Sequence, residues 1–309
     1  MTRCETFDII VINEQNMINP SPLRYPGGKN RLSKFIGLVI QNLNLKNCTY
    51  VEPFAGGAGI ALSLLLDGVV DNIIINDYDK SIYSFWKAVK CNPSALIKKI
   101  IETPVNISEW YKQKNIYDTS KKYSVELAFA ALFLNRTNHS GILNAGPIGG
   151  YSQSGNWKLD VRFNKESLIA KIEQIASKNK SIKIYNQDII VFLNRFIDRT
   201  DTNSFYYFDP PYFNKGQKLY KNFLSPKDHE HIRDVVSKDI LSPWIMTYDD
   251  VPEIASLYSD YVIKRYDLTY SAANKGTASE IMIFSNSEIC PTKEQLNTNK
   301  IAINLRGIK

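Results

Sequence analysis

The residues of this chain best suited to chemistry stand at the end of an aromatic run, where Phe205-Tyr206-Tyr207-Phe208 leads into Asp209-Pro210-Pro211-Tyr212. Two prolines fix φ at about −65° and remove two N–H donors, so the turn is stiff and presents only acceptors. Asp209 and the Pro210 carbonyl can take the two hydrogens of an exocyclic amine, while Tyr212 offers a flat face on which a base stacks for roughly 1–3 kcal/mol. Such a corner suits a nucleobase amino group held for alkylation. An ordinary Pro-Pro turn after a buried strand is spelled the same way, so the tetrapeptide needs support from elsewhere in the chain.

Two glycine-bearing turns supply it. Glu52-Pro53-Phe54-Ala55-Gly56-Gly57-Ala58-Gly59 passes from a strand into a helix, where glycines let a ligand approach the backbone. Asp77 follows about twenty residues later, the spacing at which an acid grips ribose hydroxyls. Together they read as the seat of an adenosine-type cofactor. Glycines for close helix packing, with Asp77 as a helix cap, are the competing explanation. Gly57-Ala58-Gly59 begins the dinucleotide pattern but Leu62 ends it, which disfavours nicotinamide chemistry. Upstream, Arg24-Tyr25-Pro26-Gly27-Gly28-Lys29 makes a second tight turn, and Lys29 beside two glycines suits a carboxylate or phosphate at a helix start. Pro-Gly-Gly also marks many surface turns.

The elements that must position these residues alternate. From Asn30, the residues Leu32, Phe35, Ile36, Val39, Ile40 and Leu43 form a helical stripe; then Thr49–Phe54 reads as strand, Ile60–Leu66 as helix, Asn72–Asp77 as strand and Ser81–Lys90 as helix. Alternation predicts a parallel sheet. It stops at Cys91-Asn92-Pro93 and resumes at Asn164, a helix cap, so residues 92–163 read as an insertion with helices around Ala95–Glu102 and Val125–Leu134. Strands return at Ile182–Tyr185, Ser204–Asp209 and Pro243–Tyr248, with a proline-started helix at Ser225-Pro226-Lys227-Asp228. Tyr261–Leu268 and Glu280–Ser285 should pair as an antiparallel hairpin. Residues 1–20 read as an arm holding one strand-like patch, Phe7–Ile12, and residues 287–309 as a peripheral tail.

With 309 residues, 44% of them hydrophobic, the chain can bury a sizeable core, and its formal net charge of +7 permits a polyanionic partner. No apolar run approaches the ~20 residues that cross a bilayer, which excludes a helical membrane protein. Cys4, Cys48, Cys91 and Cys290 lie too far apart for a zinc pattern or a disulfide framework, consistent with a reducing cytoplasm. His229 and His231 lack a third ligand and are expected on a solvated helix, so no metal is expected.

In their order these segments resemble the Dam-like (D12 class, alpha group) family of DNA adenine-N6 methyltransferases, from Ser21 to about Phe284. The resemblance implies a Rossmann-like class I methyltransferase α/β sheet, mostly parallel with a C-terminal antiparallel hairpin. The catalytic domain would comprise residues 21–91 and 164–286, and a mainly helical target-recognition domain would occupy 92–163. It implies S-adenosylmethionine as cofactor, held by Tyr25, Gly28, Lys29, Phe54, Gly56, Asp77 and Asp188, with Asp209 bordering it. Asp209, Pro210 and Tyr212 would be catalytic. Asn135, Arg136 and Asn138 match the start of the family's DNA-reading hairpin, and Lys215, Lys218 and Lys221 lie in a basic, aromatic loop expected to close on the DNA. The implied partner is double-stranded DNA, with a restriction endonuclease as functional companion, and the implied state a cytoplasmic monomer or weak dimer in a prokaryote or phage. Ala58 and the extra Gly57 depart from the family's usual loop, Tyr25 stands where many relatives have tryptophan, and Ile142–Phe163 does not match the hairpin that reads GATC. RNA adenine, cytosine N4 and a non-catalytic role remain as alternatives.

Overall fold

The computed structural model of the chain describes residues 19–24, 29–195, 203–213, 224–269 and 277–307. Tyr25, Gly28, Lys215, Lys218, Lys221 and the patch Phe7–Ile12 lie outside the described residues.

Among these residues β1 (Thr49–Glu52), β2 (Asn72–Asn76), β3 (Ile182–Tyr185), β4 (Ser204–Phe208), β5 (Trp244–Asp249), β6 (Val262–Thr269), β7 (Thr277–Phe284) and β8 (Arg306–Gly307) join one sheet in the order β3-β2-β1-β4-β5-β7-β6-β8. The first five strands of that order run parallel, whereas β7 is antiparallel to both β5 and β6. The expected α/β sheet with its C-terminal hairpin is therefore present. From β1 the chain builds outward first through β2 and β3, then through β4 and β5 on the opposite side. That reversal leaves a crevice at the carboxyl ends of the strands, where open α/β sheets bind ligands.

The helices are α1 (Ser33–Asn42), α2 (Gly59–Leu66), α3 (Lys80–Cys91), α4 (Pro93–Glu102), α5 (Ile107–Thr119), α6 (Val125–Thr137), α7 (Lys165–Ser177), α8 (Ile189–Asn194), α9 (Pro226–Asp239), α10 (Pro252–Leu257) and α11 (Lys293–Thr298). They cover both sheet faces. Phe205 and Tyr207 of β4 join a core with Phe35, Tyr50 and Phe284, while Tyr206 and Phe208 join a second core with Phe192, Ile232 and Trp244. A strand buried on both faces reads as a continuous apolar run, which is why β4 does not alternate.

The insertion has no core of its own. Leu127 through Leu134 of α6 are all buried, and all but Ala131 belong to the same cluster as Phe85 of α3 and Tyr50 of β1. A helix apolar on every side must be enclosed, and α3, α4 and α5 enclose it. The sequence reading overlooked α5, whose buried positions Trp110, Gln113 and Tyr117 include a polar residue that hides the helical period.

Two expectations change. The tail is not peripheral: the capping box of Thr292 and Gln295 starts α11, which buries Leu296, and Arg306–Gly307 pairs with β6. His231 is exposed as expected, but His229 is only 1% exposed and shares a 2.8 Å hydrogen bond between its Nδ1 and the Tyr248 hydroxyl. Its ring packs against Phe213, so α9 turns this histidine inward.

Candidate active site

At the crevice the chain after β1 must turn sharply to enter α2. Gly56 and Ala58 both adopt left-handed backbone, with φ of 45° and 47°. The first position suits glycine; the second strains an alanine. Ala58 as N-cap has no side-chain acceptor for the helix, and Glu52 of β1 substitutes for it by accepting from the Ala61 amide at 3.3 Å. Burial and the neighbouring Asp209 carboxylate push the Glu52 carboxyl well above the usual carboxylate range.

Asn76, 2% exposed, fastens three strand ends together. Its Nδ2 donates to the Pro53 and Gln187 carbonyls at 3.1 Å each, and its Oδ1 accepts from the Gln187 amide at 2.9 Å. Nothing in the sequence singled out Asn76 beyond its place beside Asp77. Asn76→Ala leaves these groups unpaired and is expected to lower stability by about 1–3 kcal/mol in urea denaturation.

Asp77 organises the glycine turn. Its Oδ2 accepts from the Gly56 amide at 2.8 Å and its Oδ1 from the Asp79 amide at 2.8 Å. Burial, with the nearby Asp79 carboxylate, raises its pKa to about 7 despite these two bonds.

A cavity of ≈ 600 Å³ joins these parts. Phe54, Gly56, Asp77, Asp188, Ile190 and Asp209 all line it, together with Lys29 and Pro211. Among the expected site residues that are described, Phe54 and Gly56 of the glycine loop, Asp77 at the β2 end, Asp188 after β3 and Asp209 of the proline turn thus meet in one space, whereas Pro210 and Tyr212 are not among the residues lining it. Asp188, exposed, caps α8 by accepting from the Ile190 amide at 2.9 Å.

Behind Asp209 lies a buried charge network. Lys29, 5% exposed, places its Nζ 2.6 Å from Asp209 Oδ1, 3.0 Å from Glu280 Oε2 and 3.0 Å from Thr247 Oγ1. Thr247 also donates to Asp209 Oδ1 at 3.0 Å. The Tyr212 hydroxyl donates to Glu280 Oε1 at 2.5 Å and the Tyr266 hydroxyl to Glu280 Oε2 at 2.6 Å. Burial alone would lower the Lys29 pKa, but Asp209 and Glu280 overcome it and raise the value. Burial raises that of Asp209, with Lys29 opposing and Glu280 reinforcing the shift. Asp209 Oδ1 is thereby committed to the interior, whereas no described residue bonds Oδ2, and the side chain is 26% exposed at the cavity.

Thr247 and Glu280 were not foreseen. Their signal was a polar residue in an otherwise apolar buried strand: Thr247 within Trp244–Tyr248, and Glu280 directly before Ile281-Met282-Ile283-Phe284. Pro210 is buried and Tyr212 half-buried.

In the insertion the structure corrects the expected DNA contacts. Asn135 is 1% exposed; its Oδ1 accepts from the Arg24 amide and its Nδ2 donates to the Arg24 and Gly141 carbonyls. Asn138, fully buried, accepts from the Trp110 indole and donates to the Ile142 and Leu143 carbonyls. Both amides are spent inside the fold, which leaves them nothing with which to read a base. Arg136 is partly buried beside Arg24 and Arg162.

The glycine loop and the proline-stiffened acidic turn border one cavity at the crevice, a layout that would suit a nucleobase-directed methyltransferase. Residues 25–272 match the model of the D12 class N6 adenine-specific DNA methyltransferases, and the chain belongs to that family. It is therefore a DNA methyltransferase, and its cofactor is S-adenosylmethionine. Among curated relatives, the type II methyltransferase M1.LlaDCHI of Lactococcus lactis subsp. cremoris is 24% identical over 288 residues, spanning 87% of this chain and 97% of the relative. The type II methyltransferase M.MjaIII of Methanocaldococcus jannaschii is 25% identical over 209 residues, spanning 62% and 68%. Among solved structures, the rRNA methyltransferase aviRa of Streptomyces viridochromogenes superposes with a TM-score of 0.41 at 10% identity, covering 90% of this chain and 96% of that one.

The lining fits S-adenosylmethionine in its chemistry: Phe54 and Ile190 bring apolar surface that a flat base would need, and Asp77 and Asp188 bring carboxylates that could accept from hydroxyl and amino groups. No described helix is long and apolar enough to cross a membrane.

Proposed function

We propose that this chain methylates N6 of a flipped-out adenine at specific sites in double-stranded DNA, in a restriction-modification or genome-marking role. Methyl transfer belongs to residues 21–91 and 164–286 and target recognition to 92–163. The observation that carries this reading is the split duty of Asp209: one oxygen is locked by Lys29 and Thr247, and the other borders the cavity of the glycine loop and Asp77.

S-adenosylmethionine supplies an electrophilic methyl on a sulfonium. Asp209 Oδ2 accepts one hydrogen of the adenine amine and the Pro210 carbonyl the other, which draws the nitrogen lone pair out of the ring and toward the methyl. The N–C bond would form as the methyl–sulfur bond breaks and a neutral thioether leaves; N6 must then shed a proton, for which Asp209, whose proton affinity burial has raised, is the acceptor this reading assigns. Tyr212 stacks on the base, its ring plane held through the hydroxyl bond to Glu280. Lys29 keeps the acidic turn electrostatically tolerable. Positioning and matched electrostatics supply most of the rate. The adenine must leave the duplex, at a few kcal/mol, to reach this corner.

The test is transfer of a labelled methyl from S-adenosylmethionine to duplex DNA, followed by nucleoside analysis. N6-methyladenine is expected; label in N4-methylcytosine, in RNA only, or nowhere overturns the reading. Asp77 adds a pH signature. Ribose hydroxyls need the carboxylate form, so cofactor affinity is expected to fall as pH drops from about 8 to about 6, through the raised Asp77 pKa. Asp77→Asn should flatten that dependence in calorimetric titrations.

A further inference from the structure

A second cavity, of ≈ 510 Å³, lies on the insertion and is lined by Arg24, Ser154, Trp157 and Arg162 among others. Its electrostatics are unusual. Arg24, partly buried, and Arg162, exposed, line the cavity; Arg136, partly buried, is not among the lining residues but feels the charge of both, and the three guanidinium groups have no ion pair among the described residues. Arg24 Nη1 and Arg136 Nε are buried without a hydrogen-bond partner among the described residues. Burial, then Arg24 and Arg162, lower the Arg136 pKa to about 10, so the cations repel one another. Uncompensated buried charge destabilises a fold unless an anion arrives to pair with it.

The rim is built rather than loose. Gln153 donates through Nε2 to the Ile148 and Gly150 carbonyls and accepts through Oε1 from the Leu159 amide. Gly149, at φ 86°, has no room for a Cβ, which would stand 2.7 Å from the Trp157 carbonyl. On this fixed loop the Trp157 indole is 70% exposed, a flat apolar face at the mouth of a cationic pocket. The site is also tied to the catalytic centre. Arg24 precedes Lys29 by five residues, a span of at most about 18 Å.

We propose that Arg24 and Arg162, with Arg136 behind them, clamp a backbone phosphate of the DNA substrate a few nucleotides from the target base, and that Trp157 stacks against the adjoining nucleotide. This rests on the reading of the chain as a methyltransferase of duplex DNA, and it recasts Arg136 from part of a DNA-reading hairpin to part of a phosphate clamp.

The experiment measures binding of fluorescent duplexes to the full chain across a salt series, with and without the methylated site. In Arg162→Ala, affinity is expected to fall about tenfold and equally for both duplexes, with the log K against log salt slope shallower by about 0.9. Trp157→Ala should weaken binding about tenfold with the slope kept. Arg136→Met should raise the Tm of the free chain while weakening DNA binding, an outcome no purely structural arginine would give. Unchanged affinity and slope in Arg162→Ala and Trp157→Ala overturns the proposal, as does a loss confined to the site-bearing duplex. If wild type methylates DNA and the variants bind normally, only the clamp fails. If wild type methylates no DNA, the functional reading fails instead.

Discussion

Asp209→Ala is expected to cut methyl transfer by roughly 10²-fold or more while leaving the affinity for S-adenosylmethionine nearly intact. The side chain lines the cavity, yet its inner oxygen is already saturated by Lys29 at 2.6 Å and Thr247 at 3.0 Å. What alanine removes at the reacting end is the outer oxygen, the acceptor proposed for the adenine amine. The cofactor contacts proposed for the glycine loop, Asp77 and Asp188 stay in place. Single-turnover methylation, paired with a direct cofactor titration, separates the two effects. A variant that turned over at near-normal rate would reject Asp209 as the amine acceptor. Asp209→Asn keeps the shape but turns the group into a mixed donor and acceptor without charge, and should recover only part of the rate.

Lys29→Met is expected to destabilise the fold by about 3–5 kcal/mol near neutral pH and to abolish most activity with it. The lysine side chain is 1% exposed and that of Glu280 2%, so removing the cation strands two carboxylates in the interior without a counter-charge. The sign of the pH dependence follows. Burial already raises the Asp209 pKa above its ordinary value even with Lys29 opposing. Without Lys29 the folded-state value rises further. Stability tied to a raised carboxyl pKa is present at low pH and lost as pH rises through that value. The deficit of Lys29→Met should therefore be largest in alkaline buffer and shrink as pH falls. A second variant keeps the idea testable if the first fails to fold: Lys29→Met combined with Glu280→Gln removes one stranded charge and should restore part of the lost stability. Urea titrations at several pH values read both outcomes. A combined variant no more stable than the single one would mean that the network is not governed by charge balance.

The same network explains why the catalytic turn is rigid from two sides. Prolines restrict its backbone, and Glu280, reached across the hairpin from Tyr266, holds Tyr212 by its hydroxyl. Positional precision here comes from tertiary pairing as much as from local stiffness.

Much of the fold was legible in the chain because local periodicity and sheet burial obey short-range rules. β4 was readable from four consecutive aromatics, β6 and β7 from two apolar runs separated by a short loop, and α7 from the Asn164 cap and its spaced isoleucines. α5 escaped because Gln113 shares its buried face with Trp110 and Tyr117, so hydrophobicity does not follow the helical period. The tail escaped for a related reason: its buried residues, Ile289 and Leu296, are isolated in polar sequence and gain meaning only against a core formed elsewhere.

Sequence by itself determined the stiff acceptor turn, the glycine turn with Asp77 about twenty residues on, and the alternation that forces a parallel sheet, since each depends on residue types a few positions apart. Only the tertiary structure decided that Lys29, Thr247 and Glu280 converge behind Asp209, that Asn135 and Asn138 face inward, and that Arg24, Arg136 and Arg162 come near one another without a counter-charge among the described residues. Those partners lie tens to hundreds of residues apart in sequence, and whether a polar side chain is spent on the fold or left for a ligand depends on what burial places beside it.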